Sequence, residues 1–273
     1  MKKYQIVCSD LDGTLLNTET KVSMENLHAV AELAGRGVFF VPSTGRSFSE
    51  VPAELRNNPA IRYFICSNGA MVLDVQTGRK HLTGMSRQLS QKIQAILRRY
   101  ETHLTLRHDG KCYVDAAFAT TEAFDYYNVC EAHRVVVNDF AVWHEDFAAF
   151  CEKVDDVEVI SVFFREHKEL LAARKEIESL CELRIVGVSD YNLEIMNAKA
   201  GKGNALLWLS EELGIKREDT ISVGDSDNDS SIVKAAGLGL AVSNACQSLK
   251  DLADEIICSN DEHAIQYIVR KYF

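Results

Sequence analysis

The 273-residue chain holds only three prolines, at positions 42, 52 and 59, so no proline-rich linker divides it. No apolar run approaches the length of a membrane span. Internal repeats and low-complexity tracts are absent too, which sets aside solenoids and disordered tails. The eight cysteines, at 8, 66, 112, 130, 151, 181, 246 and 258, include no C-x-x-C pair. Zinc-knuckle and thioredoxin-like readings therefore lack support. Cys8 and Cys66 lie inside apolar, strand-like runs, where cysteine acts as a small hydrophobe. Eight free thiols in a reducing compartment are expected. Met1-Lys2-Lys3-Tyr4 leads into no long apolar stretch, so no signal peptide is expected and the assignment is cytoplasmic. There is no basic run, and the formal net charge is −10, a poor balance for nucleic acid or an anionic membrane. An anionic small molecule held by a few cations and a metal is still compatible with that charge. The eight histidines form no H-E-x-x-H set.

What is present fits a globular protein of one large or two modest domains, with 47% hydrophobic and 26% charged residues. The first part alternates strands and helices. Strand Gln5 to Ser9 precedes a Ser23-capped helix ending at Gly35 and Gly37, and strand Val38 to Val41 comes next. A short helix Phe48 to Leu55 and strand Tyr63 to Cys66 follow. The last part alternates in the same way, with helix Gly203 to Leu213, strand Thr220 to Val223, helix Ser231 to Ala236, strand Leu238 to Val242 and helix Glu262 to Tyr272. This alternation predicts a doubly wound, Rossmann-like parallel sheet of the α/β class.

The middle does not alternate. It reads as helix Ser90 to Tyr100, strands His103 to Leu106 and Lys111 to Val114, and helix Thr121 to Cys130. Strand Val157 to Phe164, helix Glu166 to Cys181 and strand Leu183 to Val188 complete it. That mixture suits an α+β unit. Thr44 and Lys202 stand 158 positions apart, far more than a simple crossover needs. The expected organisation is a core of residues 1–83 and 191–273, with 84–190 inserted as a cap domain.

The densest chemistry is Asp10-Leu11-Asp12-Gly13-Thr14, directly after the first strand. While the chain stays extended, Asp10 and Asp12 point to the same side. Gly13 then permits a sharp turn. Two carboxylates thus meet at the C-terminal tip of a strand, where open α/β sheets bind ligands. One can attack phosphorus, the other can carry a proton, and both are near enough to share a cation. The plain alternative is a surface turn, since Asp and Gly are turn residues.

Gly224-Asp225-Ser226-Asp227-Asn228-Asp229 also follows an apolar strand. Beside Asp10 it over-concentrates negative charge unless a hard cation such as Mg²⁺ is bound. An EF-hand loop starting at Asp225 fails, with Ser230 for the glycine and Ala236 for the glutamate. Thr44-Gly45-Arg46 offers a hydroxyl and free N–H groups to a phosphate. Arg46 pairs with an acidic neighbour as readily as with substrate. Lys202, in Ala200-Gly201-Lys202-Gly203, can neutralise a phosphoryl oxygen, or can be a surface lysine with Lys199 as competitor. It is no Walker A lysine, because Gly203 replaces the Ser/Thr and Met196 the first glycine. Gly237-Leu238-Gly239 is no dinucleotide fingerprint, because Val242 takes the third glycine's place. Trp143, Trp208 and the pair Tyr126-Tyr127 read as packing residues. Arg107 to Lys111 reads as a hairpin tip, either a plain exposed turn or a substrate loop offering Arg107 and Lys111 as cations.

In order, Asp10-x-Asp12-Gly13-Thr14, Thr44-Gly45-Arg46, Asn68-Gly69, Lys202-Gly203, Gly224-Asp225-x-x-Asn228-Asp229 and Val242-Ser243-Asn244-Ala245 resemble the haloacid dehalogenase-like superfamily, and within it the Cof-type phosphatases with a large α/β cap. The resemblance implies a Mg²⁺-dependent phosphatase of small phosphorylated metabolites, such as sugar phosphates. It implies Asp10 as the nucleophile that becomes an aspartyl phosphate, and Asp12 as the general acid and base. Metal ligands would be the Asp10 carboxylate, the Asp12 backbone carbonyl and Asp225, with Asp229 ordering metal-bound water. Thr44, Gly45, Lys202 and Asn228 would bind the phosphoryl group, and Arg46 and Asn68 are candidates for substrate contact. The cap would close over the site and exclude water. The family's dehalogenases lack the second aspartate, so Asp12 argues against that activity. Asp227 receives no role. Two alternatives stay open: a phosphomutase of the phosphomannomutase kind, separable by its products, and a non-catalytic phosphometabolite-binding protein.

Overall fold

The computed structural model describes residues 4–180, 183–187 and 189–273. The expected helix end at Cys181, the strand end at Val188, the thiol of Cys181 and the start of the chain lie outside the described residues. The chain divides into two compact units, one of Met1–Arg46, Val51–His81 and Gly201–Phe273, the other of Ser47–Glu50 and Leu82–Ala200.

The first unit is built on a five-stranded sheet in the order Glu255–Ile256, Leu238–Ala241, Thr220–Gly224, Ile6–Ser9, Phe39–Pro42. Every neighbouring pair is parallel. The two central strands are buried at every position. Burial on both faces suits a parallel sheet covered by helices, and the polar Ser9, Thr220 and Ser222 are buried along with the apolar residues. Helix Met24–Gly35 packs against Ala264–Tyr272, and Lys202–Glu212 against Ser230–Ala235. Ser23 caps the first of these, its hydroxyl accepting from the Asn26 N–H at 3.2 Å. From Ile6–Ser9 the chain moves outward to Phe39–Pro42, then returns much later on the other side at Thr220–Gly224. The switch in direction falls between the strands that end at Asp10 and Asp225, where such sheets place their ligands.

Tyr63–Cys66 joins the sheet edge through a parallel bridge, Ser43 to Ile65, and also leads a three-stranded sheet with Met71–Asp74 and Lys80–Leu82. The expected helix Phe48 to Leu55 is instead a single turn Phe48–Glu50 and a separate helix Ala53–Arg56. Pro52 breaks it, since proline disfavours the helical region for the residue before it.

The second unit carries a six-stranded sheet in the order Leu183–Val186, Asn192–Asn197, Val159–Phe164, Thr102–His108, Lys111–Asp115, Val142–His144. Its described pairings are antiparallel except the last. Leu97, Leu106, Ile160, Val162 and Ile177 lie in the core beneath helices Arg87–Leu97, Phe147–Lys153 and His167–Glu178. A smaller cluster, Val114, Phe124, Val129, Val137 and Phe163, sits with helices Thr121–Tyr126 and Glu131–Asp139. One long helix Thr121 to Cys130 does not form, because Asn128 takes a left-handed φ of 55°.

Residues 191–200, expected with the core, belong to this second unit. Asn192–Asn197 pairs on both sides within its sheet, burying Leu193, Ile195 and Met196. The insertion therefore extends one strand beyond the expected boundary. The short segment Ser47–Glu50 also belongs here. The Ser49 N–H donates to Gly110 O, and Glu50 accepts from Arg107.

Arg107 corrects the expectation of a substrate loop. It is buried, donating Nε to Glu50 at 3.3 Å and Nη1 to Glu194 at 3.2 Å. The hairpin tip is Asp109-Gly110, both at positive φ, which suits a tight two-residue turn. Of the two cations proposed for the loop, Lys111 alone is exposed. Trp208 packs face to face on His81 at 3.9 Å, whereas Trp143 is half-exposed and donates Nε1–H to Val137 O.

The seven described cysteines are free. Among the described residues no helix is long and apolar enough to cross a membrane.

Candidate active site

Strand Ile6–Ser9 delivers Asp10 into the sheet, its N–H donating to Val223 O of the neighbouring strand at 3.0 Å. Leu11 to Leu15 then forms a tight loop in which Gly13 takes φ +77°. Glycine is needed here twice over: a Cβ would strain the backbone and lie 2.6 Å from Asp225 Oδ2. The loop therefore comes down onto Asp225, and Thr14 Oγ1 donates to Asp225 Oδ1 at 3.1 Å.

Strand Thr220–Gly224 delivers Asp225. The next turn is a capping box in which Ser226 and Asp229 satisfy one another's backbone. Asp229 Oδ2 accepts from the N–H groups of Asp225 and Ser226, at 3.1 and 3.2 Å. Its other oxygen points to Lys202. Gly224 makes room, since a Cβ there would overlap the Asp229 side chain at 2.5 Å. Carboxylate oxygens of Asp10, Asp225 and Asp229 lie within 4.8 Å of one another.

Lys202 sits in the first turn of its helix and is 1% exposed, so the surface-lysine alternative fails. Its Nζ donates to Asp10 Oδ1 and Asp229 Oδ1, each at 2.6 Å. Burial pushes the ammonium down, but Asp10 and Asp229 more than reverse this and hold it above its ordinary value. The carboxyl of Asp10 is pushed well above the usual range, by burial first and then by Asp229, against the opposing pull of Lys202. Asp225 is raised as well, by its own burial and by Asp229. Three carboxylates thus face one ammonium, leaving an uncompensated charge of about −2 when all are ionised.

Thr44, Gly45 and Arg46 follow the neighbouring strand Phe39–Pro42. Thr44 is buried, with its N–H on Ile65 O at 2.9 Å and its carbonyl accepting from the Asn68 N–H at 3.0 Å. Its hydroxyl accepts from the Arg46 N–H at 3.1 Å. Ser67, Asn68 and Gly69 all take positive φ, a costly run of the kind found at functional sites. A Cβ on Gly69 would lie 2.3 Å from the Gly201 backbone. Glycine there lets the turn touch the segment that presents Lys202. Asn68 Oδ1 lies 3.0 Å from where a Gly45 Cβ would be, so those two residues are adjacent.

The structure gathers Asp10, Asp225, Asp229 and Lys202 into one cluster, and Thr44, Gly45, Arg46 and Asn68 into another stretch of the same unit. Two residues of the motifs have side chains that stand apart from the acidic cluster. The Asp12 carboxylate stands outside the three-carboxylate group, half-exposed and paired with Arg46, so Asp229 is the third side chain of the acidic cluster. Helical backbone at Leu11, between extended Asp10 and Asp12, interrupts the extended chain that would have kept the two side chains on one side. Asn228 is exposed and accepts a 2.7 Å bond from the Ser226 hydroxyl. In a 3₁₀ turn neighbouring residues point about 120° apart, so with Asp229 facing Lys202 its predecessor points elsewhere. No local signal assigns a side-chain role to Thr14 or Asn244. Asn244 Nδ2 donates to Gly13 O at 2.8 Å and so braces the loop that follows Asp10. Both lie inside the motifs that carry the family resemblance, but their partners are contacts across the fold.

The donor set fits a small hard cation. It is all oxygen, buried or half-buried, and over-negative, as Mg²⁺ sites require.

A family model described as haloacid dehalogenase-like hydrolase matches residues 7–269. Phosphatase YwpJ of Bacillus subtilis is 29% identical over 284 residues, covering 97% of this chain and 99% of that protein. The 5-amino-6-(5-phospho-D-ribitylamino)uracil phosphatase YcsE of the same organism is 27% identical, covering 98% and 95%. A solved haloacid dehalogenase-like hydrolase from B. subtilis aligns over all of both chains with a TM-score of 0.80 at 28% identity.

Proposed function

As the chain belongs to the haloacid dehalogenase-like hydrolases, we propose that it is a Mg²⁺-dependent phosphatase of small phosphorylated metabolites, acting through an aspartyl phosphate on Asp10. The observation that carries this reading is the buried Asp10–Lys202–Asp229 bridge with Asp225 beside it. The relatives YwpJ and YcsE are phosphatases, and the second is named for a phosphate on a ribityl chain. A sugar or polyol phosphate is therefore the substrate class to try first.

Asp10 attacks phosphorus: an O–P bond forms to its carboxylate as the bond to the leaving alcohol breaks. Asp12 gives that alcohol its proton. Asp12 then takes a proton from water as the water attacks phosphorus, the aspartyl bond breaks, and inorganic phosphate leaves. Thr44 and Lys202 orient the phosphoryl oxygens, which is most of what phosphoryl transfer asks of a protein. Asp10 and Asp225, with the Asp12 backbone carbonyl, would hold Mg²⁺, and Asp229 keeps Lys202 and the Asp225 loop in place. A bound Mg²⁺ supplies the charge that keeps these carboxylates ionised and offsets that of the phosphoryl group.

The test is phosphate release across sugar, polyol, nucleotide and cofactor phosphates, with Mg²⁺ and with chelator. Release that chelator abolishes supports the reading, and trapping of the phosphoenzyme form by beryllofluoride supports the intermediate. A folded protein that releases phosphate from none of them overturns it.

Asp225→Asn separates metal affinity from folding. It should weaken Mg²⁺ activation by at least about 10- to 100-fold in the concentration needed, the cost of losing even a group that only supports a metal ligand. It should also raise the melting temperature of the metal-free protein by a few degrees, since about 1 kcal/mol of repulsion relieved shifts a domain of this size by ~2–4 °C. Unchanged Mg²⁺ dependence would remove Asp225 from the site.

A further inference from the structure

The geometry points to Arg46 as a positioning residue for Asp12, one that aims the proton donor at the leaving oxygen. The inference rests on the phosphatase reading above. Arg46 meets Asp12 as a fork, with Nε donating to Oδ2 at 2.9 Å and Nη2 to Oδ1 at 2.5 Å. Among the described residues Asp12 accepts side-chain hydrogen bonds from Arg46 alone. Its carboxylate is about half exposed, so packing does not fix its rotamer. The guanidinium does, because two parallel bonds to a planar partner set both torsions of a short side chain.

Arg46 is itself anchored at its backbone. Its N–H donates to the Thr44 hydroxyl at 3.1 Å, and its carbonyl accepts from the Ser67 N–H at 2.8 Å. The residue that orients Asp12 is thus tied to the loop that holds Thr44 and to the strained turn at Ser67–Gly69. The register of the proton donor is set by the same backbone as the phosphate loop. As an ion pair on a partly exposed surface the fork contributes only about 0–1 kcal/mol to stability. Its value is directional, since a general acid works only within hydrogen-bond reach of the atom it protonates.

Leaving-group dependence tests this. An alkoxide leaving group needs a proton as the P–O bond breaks, whereas an aryloxide such as p-nitrophenolate leaves as a stable anion. kcat/KM covers the steps up to phosphoenzyme formation and excludes the hydrolytic half. It should be measured for phosphate esters running from alkyl to aryl, on wild type, Arg46→Met and Arg46→Lys. Arg46→Met is expected to lower kcat/KM for alkyl esters by about 10- to 100-fold, part of the 10²–10⁴ that a positioned general acid supplies. The loss should shrink steadily as the leaving alcohol becomes more acidic, so the plot of log kcat/KM against leaving-group acidity steepens. Arg46→Lys should show the same steepening, because an ammonium cannot reproduce the fork. An equal loss across the series in both variants would overturn the inference and leave Arg46 as a phosphoryl or structural contact. No loss in either would overturn it as well. A wild type that releases no phosphate from any ester sinks the parent reading instead, so the two failures are distinguishable.

Discussion

Asp10→Asn is expected to lower phosphate release by roughly 10⁴-fold or more, the scale on which removing a nucleophile acts. The same substitution should make the metal-free protein more stable, not less. Asp10 shares a buried space with Asp229 and Asp225, and one ammonium serves the group. Its carboxyl is held above the usual range by burial, with Asp229 adding to the rise. A carboxyl raised in the folded state binds a proton there that the unfolded chain gives up. Its contribution to stability therefore falls as pH climbs out of the ordinary carboxylate range. An amide of the same shape carries no such penalty, and Lys202 keeps Asp229 as a partner. The gain should be clear in thermal melts with chelator at pH 8 and should shrink toward pH 4, where the wild-type carboxyl is itself protonated. Added Mg²⁺ should stabilise the wild type more than the variant. A variant with near-wild-type turnover would remove Asp10 from the nucleophile role.

Much of this is legible in the chain because the relevant signals are local. Asp10 and Asp225 each follow a short, fully buried strand, and a parallel sheet places such strand ends side by side. Lys202 opens a helix and reaches Asp10 and Asp229. Sequence alone cannot rank it above a surface lysine, because its burial depends on Gly69 and Gly203 letting backbones approach. The partner of Arg46 is also open at that level, since nothing in the spacing of positions 12 and 46 fixes a side-chain direction. Arg107 misleads for the opposite reason. A cation next to a hairpin tip reads as exposed, and only the pairing of Thr102–His108 with its neighbours shows it turned toward Glu50 and Glu194. The strand Asn192–Asn197 is hard to see because its apolar residues Leu193, Ile195 and Met196 do not alternate cleanly with polar ones.

Lys202→Met is expected to have the largest effect on folding. Breaking a buried pair by removing one partner costs about 3–5 kcal/mol, because the remaining charge stays buried without compensation. Here two carboxylates lose their cation at once. Asp10 and Asp229 each accept from Nζ at 2.6 Å, and both are almost wholly enclosed. The lysine is held charged by them in spite of its own burial. Its stabilising effect is present while it is protonated and they are ionised, so the cost of losing it is full near neutral pH. It falls as acid protonates Asp10, whose carboxyl burial and Asp229 hold above the usual range. Urea unfolding with chelator at pH 7.5 and pH 4.5 reads the difference. The variant should lose most of its stability at the first pH and far less at the second, and Mg²⁺ should restore part of it by replacing charge in the same cluster. Lys202→Arg should not rescue activity. A guanidinium donates as a planar fork, whereas these oxygens converge on one nitrogen in a closed space. A Lys202→Met protein that unfolds within about 1 kcal/mol of wild type at pH 7.5 would show that the bridge is not what holds the two carboxylates together.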